Sequence, residues 1–118
     1  MDDDRLDEAF LALADPVRRA IVARLSTGSA TVNELAEPFD ITKQAVSRHI
    51  AVLERSGLVT RSRDAQRRPV HLDAQALERL TAWIDRYRLQ AEAAYRRLDA
   101  VLAASQPAAS ERTTKEEK

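Results

Sequence analysis

The sequence predicts a mainly α-helical fold with a small β-hairpin and a long C-terminal helix. Three features carry that expectation. Apolar residues recur at helical spacing through most of the chain, Asp15, Thr31, Thr42 and Asp73 stand where helices would begin, and an apolar stretch between residues 58 and 72 is split by a polar turn. The 118 residues can build one domain with a modest core, so burial against a partner chain is a natural supplement. The expected organisation is a domain over residues 1–103 and a disordered tail over 104–118, where SQPAASERTTKEEK lacks large apolar side chains.

In chain order, Leu6, Phe10 and Leu13 mark the apolar stripe of a first helix of about three turns. Asp15-Pro16 supplies an N-cap followed by proline at the first helical position. A second helix then runs to about Ser26 with Val17, Ala20, Ile21 and Leu25 inward, and Gly28 is its natural stop. Thr31 and Glu34 have capping-box spacing and open a short third helix that Pro38 helps to end. After the turn Asp40-Ile41-Thr42, Thr42 caps a fourth helix. Val46, Ile50 and Leu53 lie on its inner face, leaving Lys43, Gln44, Ser47, Arg48, Ala51 and Arg55 outward.

A short helix, a tight turn and a second helix with a polar outer face form a helix-turn-helix. The outer residue types suit DNA: arginine can bind guanine bidentately, glutamine can bind adenine, and serine permits close approach. A plain amphipathic helix would show the same pattern, and the segment that follows favours DNA. Ser56-Gly57 ends the helix, and two short strands anchored by Leu58, Val59, Val70 and Leu72 flank a turn, with Pro69 at an edge or strand end. This ribbon carries Arg61, Arg63, Arg67 and Arg68, a wing whose arginines suit phosphates or a minor groove. Charge that merely guards an edge strand against aggregation is the plainer alternative.

Formal net charge is zero, yet the signs are segregated. Residues 41–72 hold seven arginines and lysines against Glu54 and Asp64, while Asp2, Asp3, Asp4, Asp7, Glu8 and Asp15 crowd the first fifteen positions. A basic face on a small domain points to a polyanion, a solvated charged surface being the bland alternative.

Asp73 caps the last helix. Leu77, Ile84, Ala91 and Leu98 repeat every seven residues, and Leu80, Tyr87, Ala94 and Val101 repeat at the complementary position. So long an apolar line predicts a homodimer, with Leu6 and Phe10 of the first helix joining Leu77, Leu80, Ile84, Tyr87, Ala91 and Leu98 at the interface. A helix folded back on its own domain is the alternative.

Several classes are disfavoured. There is no cysteine, which removes disulfides and thiolate sites. The two histidines, His49 and His71, form no metal pair or catalytic constellation, so neither an enzyme nor a cofactor is expected. No apolar run is long enough to cross a bilayer, and the expectation is a cytoplasmic, soluble protein without a membrane partner.

The segments LADPVRRAIVARL, TVNELAEPFDITKQAVSRHIAVLERSGLV and RRPVHLDAQALERLTAWIDRYR together resemble the ArsR/SmtB family of bacterial winged-helix transcriptional regulators, over about residues 5 to 102. AVSRHIAVLERSGLV is the most specific match. The resemblance implies a dimeric repressor that binds an inverted-repeat operator on double-stranded DNA and releases it on a signal. It would place Gln44, Ser47 and Arg48 on bases, Thr42 and Lys43 on phosphates, and the wing arginines on the flanking backbone or minor groove. Metal-sensing members carry cysteines where this chain has ELAEPFD, and other members use histidines on the last helix, where residues 74–103 have none. The chain therefore resembles the cysteine-free branch. Trp83 and Tyr87 could line a pocket for an unidentified small-molecule effector or simply pack at a dimer seam. A winged-helix module that binds proteins instead of DNA is the rival function, although it would have no use for the basic surplus.

Overall fold

The computed structural model describes residues 3–62 and 67–105. Arg63, expected in the wing, and the tail beyond 105 lie outside the described residues. The elements are α1 (Asp3–Ala12), α2 (Pro16–Leu25), α3 (Val32–Ala36), α4 (Lys43–Arg55), β1 (Val59–Arg61), β2 (Val70–Leu72) and α5 (Ala74–Ser105). The chain divides into two units, residues 1–81 and 82–118.

Short polar side chains set four helix starts. Asp15 Oδ2 accepts the Arg18 N–H at 3.1 Å, with Pro16 at the first position of α2. Thr31 and Glu34 close a reciprocal capping box on α3. Thr42 Oγ1 accepts the Ala45 N–H at 3.1 Å, and Asp73 Oδ1 accepts the Gln75 N–H at 3.0 Å. Each such bond answers one of the backbone donors a helix start leaves unpaired.

The end of α4 is equally defined. The Leu58 N–H returns to the Leu53 carbonyl and the Gly57 N–H to that of Glu54, the paired bonds of a Schellman stop. Gly57 takes φ +85° there, a conformation a residue with a Cβ adopts at a cost of about 1 kcal/mol. The chain thereby turns directly from α4 into β1.

The hairpin is antiparallel, with Val59 opposite Leu72 and Arg61 opposite Val70. Val70 also exchanges both backbone hydrogen bonds with Ala30, between α2 and α3. β2 is therefore held on both sides at that residue, and Pro69, just outside it, needs no N–H in the ladder. The wing base is fastened to the domain before the wing leaves it.

The core of the first unit joins Ile21 and Leu25 of α2, Leu35 of α3, Val46, Ile50 and Leu53 of α4, Leu58, Val59 and Val70 of the hairpin, and Ala76 and Leu80 of α5. On α1 the fully buried residues are Ala9 and Ala12, with Leu6 half-buried and Leu13, just past its end, half-buried too, while Phe10 is 36% exposed. The expected stripe through Phe10 is thus rotated: small alanines take the inner line and the ring stands at its edge. Ala20, expected inward on α2, is exposed.

Leu80 also departs from expectation. At 4% exposure it belongs to the core of its own chain, and Leu77 is partly buried against the same cluster. The heptad line of α5 therefore begins within the core of the first unit. In the second unit Trp83, Ile84, Tyr87, Leu98, Val101 and Leu102 are exposed, and at about 100° per residue they share one arc with Ala91 and Ala94. The Trp83 and Tyr87 rings sit 4.8 Å apart. Off that arc, Arg88 bridges Asp85 and Glu92 at 3.2 and 2.8 Å, a solvated row satisfied within the helix.

Ile50, with no exposed surface, touches the part of the core on which α4 rests. Ile50→Ala is expected to lower stability by about 2–5 kcal/mol, read from the midpoint of chemical denaturation. A loss under about 1 kcal/mol would show that the core beneath α4 collapses around the vacancy.

Candidate nucleic-acid interface

The candidate surface is built on α4, whose apolar residues fix its rotation. With Val46, Ile50 and Leu53 buried, helical spacing turns Gln44, Ser47, Arg48, Ala51 and Arg55 away from the core. Lys43, Gln44, Arg48 and Arg55 are exposed, and Ser47 and Ala51 are half-buried between them. The small residues leave room for a partner to approach between the long ones. The first turn of α4 holds no acidic residue, so its uncancelled N–H groups and Lys43 present a positive end. Thr42 Oγ1 accepts the cap bond there, placing its hydroxyl beside those donors.

The single acidic residue of α4, Glu54, lies on the wing-side flank. Arg61 Nε approaches its Oε1 at 3.5 Å, and the Arg61 side chain is only 24% exposed. Arg61, expected on the binding surface, is thus turned toward α4, where it offsets Glu54 and ties β1 to the helix. Arg67 is its opposite, with a side chain 80% exposed and a guanidinium 3.8 Å from Glu34, a contact that solvent screens strongly. Arg68 is exposed and holds φ +44°, an uncommon value for a residue with a side chain, where the chain turns back toward β2. Among the described arginines of the wing, Arg67 and Arg68 are therefore the ones that face outward.

The other flank of α4 carries His49, which the sequence suggests packs or meets a phosphate and is not a metal ligand. His49 Nδ1 lies 3.2 Å from Arg18 Nη1 and 3.8 Å from Asp15 Oδ2. Arg18 also donates from Nε to the Ala12 carbonyl at 2.6 Å and from Nη2 to the Leu11 carbonyl at 3.2 Å. The Asp-Pro cap was legible, but nothing in the spacing of Arg18 and His49 announces their contact across the fold. His71 is exposed on β2, opposite Thr60.

A helix-turn-helix whose second helix turns an acid-poor, basic face to solvent, followed by a ribbon with outward arginines, defines a winged-helix DNA-binding protein. Comparison with known proteins agrees. A helix-turn-helix domain model matches residues 13–62. The chain is 40% identical over 92 residues to the HTH-type transcriptional regulator Rv2034 of Mycobacterium tuberculosis, covering 78% of this chain and 86% of that one. It is 29% identical over 79 residues to the transcriptional repressor SdpR of Bacillus subtilis, covering 67% and 88% respectively. The crystal structure of an ArsR family transcriptional regulator superposes with a TM-score of 0.70 at 38% identity, covering 75% of this chain and 97% of the other. The chain belongs to the ArsR/SmtB family of helix-turn-helix transcriptional regulators.

Two carboxylates behind this surface titrate below their usual range. Asp15 is held down first by the Arg18 N–H, with partial desolvation opposing and His49 adding to the effect. Glu34 is held down by the Thr31 N–H and hydroxyl, with Arg67 and Arg24 adding against a desolvation cost. Their folded pKa values lie below the unfolded ones, so both stabilise fully above the unfolded value and lose that contribution as pH falls through the folded value. Asp15→Asn with Glu34→Gln is expected to be less stable than the parent near neutrality. The two should converge in acid, as followed by urea midpoints across pH. Parallel curves would show that these caps titrate as exposed carboxylates do.

Proposed function

We propose that the chain is a homodimeric repressor that binds an inverted-repeat operator in double-stranded DNA. The observation that carries this reading is the face of α4: Lys43, Gln44, Arg48 and Arg55 are exposed around Ser47 and Ala51, and the one acid of the helix is engaged by Arg61. Arg48 and Gln44 supply forks suited to guanine and adenine edges in a major groove. Ser47 lets the helix approach closely. Thr42, Lys43 and the positive N-terminus of α4 meet phosphates, while Arg67 and Arg68 meet the flanking backbone or minor groove, joined by Arg63.

Dimerisation follows from the exposed arc of α5. A contiguous apolar face of aromatic and branched residues is what a partner surface covers, and the seven-residue repeat suits a second copy of the same helix. Leu6 and Phe10 of α1 add to this interface, as do Ile84, Tyr87, Ala91 and Leu98. A two-fold dimer places its reading helices in successive major grooves, which makes the operator an inverted repeat with half-sites about one helical turn apart. Repression is the outcome the name of SdpR attaches to that relative. It is also the plain effect of a dimer occupying a promoter.

Selection of bound sequences from a random duplex pool is expected to recover an inverted repeat with half-site centres about 10 base pairs apart. No enriched sequence, with binding indifferent to salt, would favour the protein-interaction module. Arg48→Ala is expected to weaken specific binding by about 1–3 kcal/mol and to relax base preference at one position of each half-site. Ile84→Glu places a charge in the exposed arc and is expected to sediment as a folded monomer. A tight dimer from that variant would move the interface off this face.

A further inference from the structure

Arg18 stands apart from the proposed reading face, yet its guanidinium joins three helices. It grows from the first turn of α2, donates to the Leu11 and Ala12 carbonyls at the end of α1, and reaches His49 on α4. The two bonds to α1 are ordinary: a cation meets the carbonyls at a helix end, where the Leu11 carbonyl also accepts the Ala14 N–H. The third is not needed for that cap. It spends a donor on the imidazole of a residue adjacent in sequence to Arg48, on the flank of α4 between its buried line and its outer face.

The chemistry of the pair fixes the imidazole. A guanidinium has donors and no acceptor, so as a hydrogen bond this 3.2 Å contact takes the His49 tautomer whose Nδ1 accepts. Asp15 Oδ2, at 3.8 Å from the same nitrogen, is beyond hydrogen-bond reach and accepts the Arg18 N–H instead. Asp15 thus orients the start of α2, Arg18 leaves that start, and His49 receives it. The three acceptors are met from three separate nitrogens of the guanidinium, Nε, Nη1 and Nη2, whereas a lysine would have to reach all three from one nitrogen.

We propose that Arg18 is a positioning residue for DNA recognition: through His49 Nδ1 it fixes how α4 is set against the ends of α1 and α2. On the other flank Glu54 and Arg61 hold α4 to β1, and the buried line holds its floor. The buried line sets the rotation of α4, and the Arg18 bond, being directional, narrows the small roll that non-directional apolar packing tolerates. Reading bases needs side chains placed to a fraction of an ångström, whereas phosphate attraction tolerates such a roll. The bond therefore serves discrimination between sequences more than attraction to DNA. The inference rests on α4 being the reading helix.

The test measures full-length protein on two duplexes, one recovered by selection from a random pool and one scrambled version of equal length. Discrimination is the ratio of the two affinities. Arg18→Lys keeps the charge and His49→Ala removes the acceptor; each is expected to lower discrimination about tenfold, the double variant no further than either single one. The salt dependence of binding should stay near that of the parent in each variant, and so should the thermal midpoint of His49→Ala, which leaves the bonds of Arg18 to α1 in place. His49→Asn, which keeps an acceptor near the Nδ1 position, is expected to retain discrimination, and His49→Gln, whose acceptor sits near Nε2, is not. The inference is overturned if His49→Gln is the tolerated variant and His49→Ala flattens the salt dependence, because the ring then touches DNA directly. Additive losses, or losses equal on both duplexes with a lowered thermal midpoint, overturn it as well. Arg48→Ala, run alongside, separates the two readings. If it keeps full discrimination, α4 does not read the bases as proposed; if it loses discrimination while Arg18→Lys does not, the positioning role alone fails.

Discussion

The burial of Val46, Ile50 and Leu53 decides what the chain can offer a partner. These three side chains fix the rotation of α4, and every outward residue follows from that rotation by helical geometry. Their burial draws together α2, α3, the hairpin and the start of α5 in one cluster. The Schellman stop at Gly57 then turns the chain sharply into β1, so the wing begins where the helix ends. Hydrophobic burial supplies the energy, and local polar bonds decide where each helix begins and ends.

Charge is arranged on this frame in two different ways. Arg61 and Arg18 lie partly buried and are turned inward, Arg61 to an ion pair with Glu54 and Arg18 to His49 and the end of α1, where they hold one element against another. Lys43, Arg48, Arg55, Arg67 and Arg68 remain outward with their guanidinium or ammonium groups in solvent. A simple count of arginines over the basic stretch treats these groups alike. The structure separates those that shape the surface from those that make it attractive to an anion.

That separation marks the limit of what the amino-acid order discloses. The caps at Asp15, Thr31, Thr42 and Asp73 were legible because a cap is a local contact within three residues. The inner face of α4 was legible from helical periodicity, and the hairpin from two short apolar runs around a polar turn. Phe10 was misplaced because Ala9 and Ala12 are apolar enough to be buried and too small to stand out in a periodicity. Leu80 fits the heptad line as well as Ile84 does, yet its depth depends on where the core of its own chain stops. The contacts of Arg18 with His49 and of Arg61 with Glu54, like the bridge from Ala30 to Val70, arise from tertiary proximity, for which a single sequence carries no spacing rule.

The exposed arc of Trp83, Ile84, Tyr87 and Leu98 has a consequence for gene control that a single chain cannot display. If that arc is covered by a second copy, the active species is set by mass action. While monomers predominate, the amount of dimer rises with the square of their concentration. Halving the number of chains in a cell then cuts the operator-competent form about fourfold. Synthesis and degradation of the regulator become inputs to the switch alongside any chemical signal, and dilution at cell division alone moves it toward release.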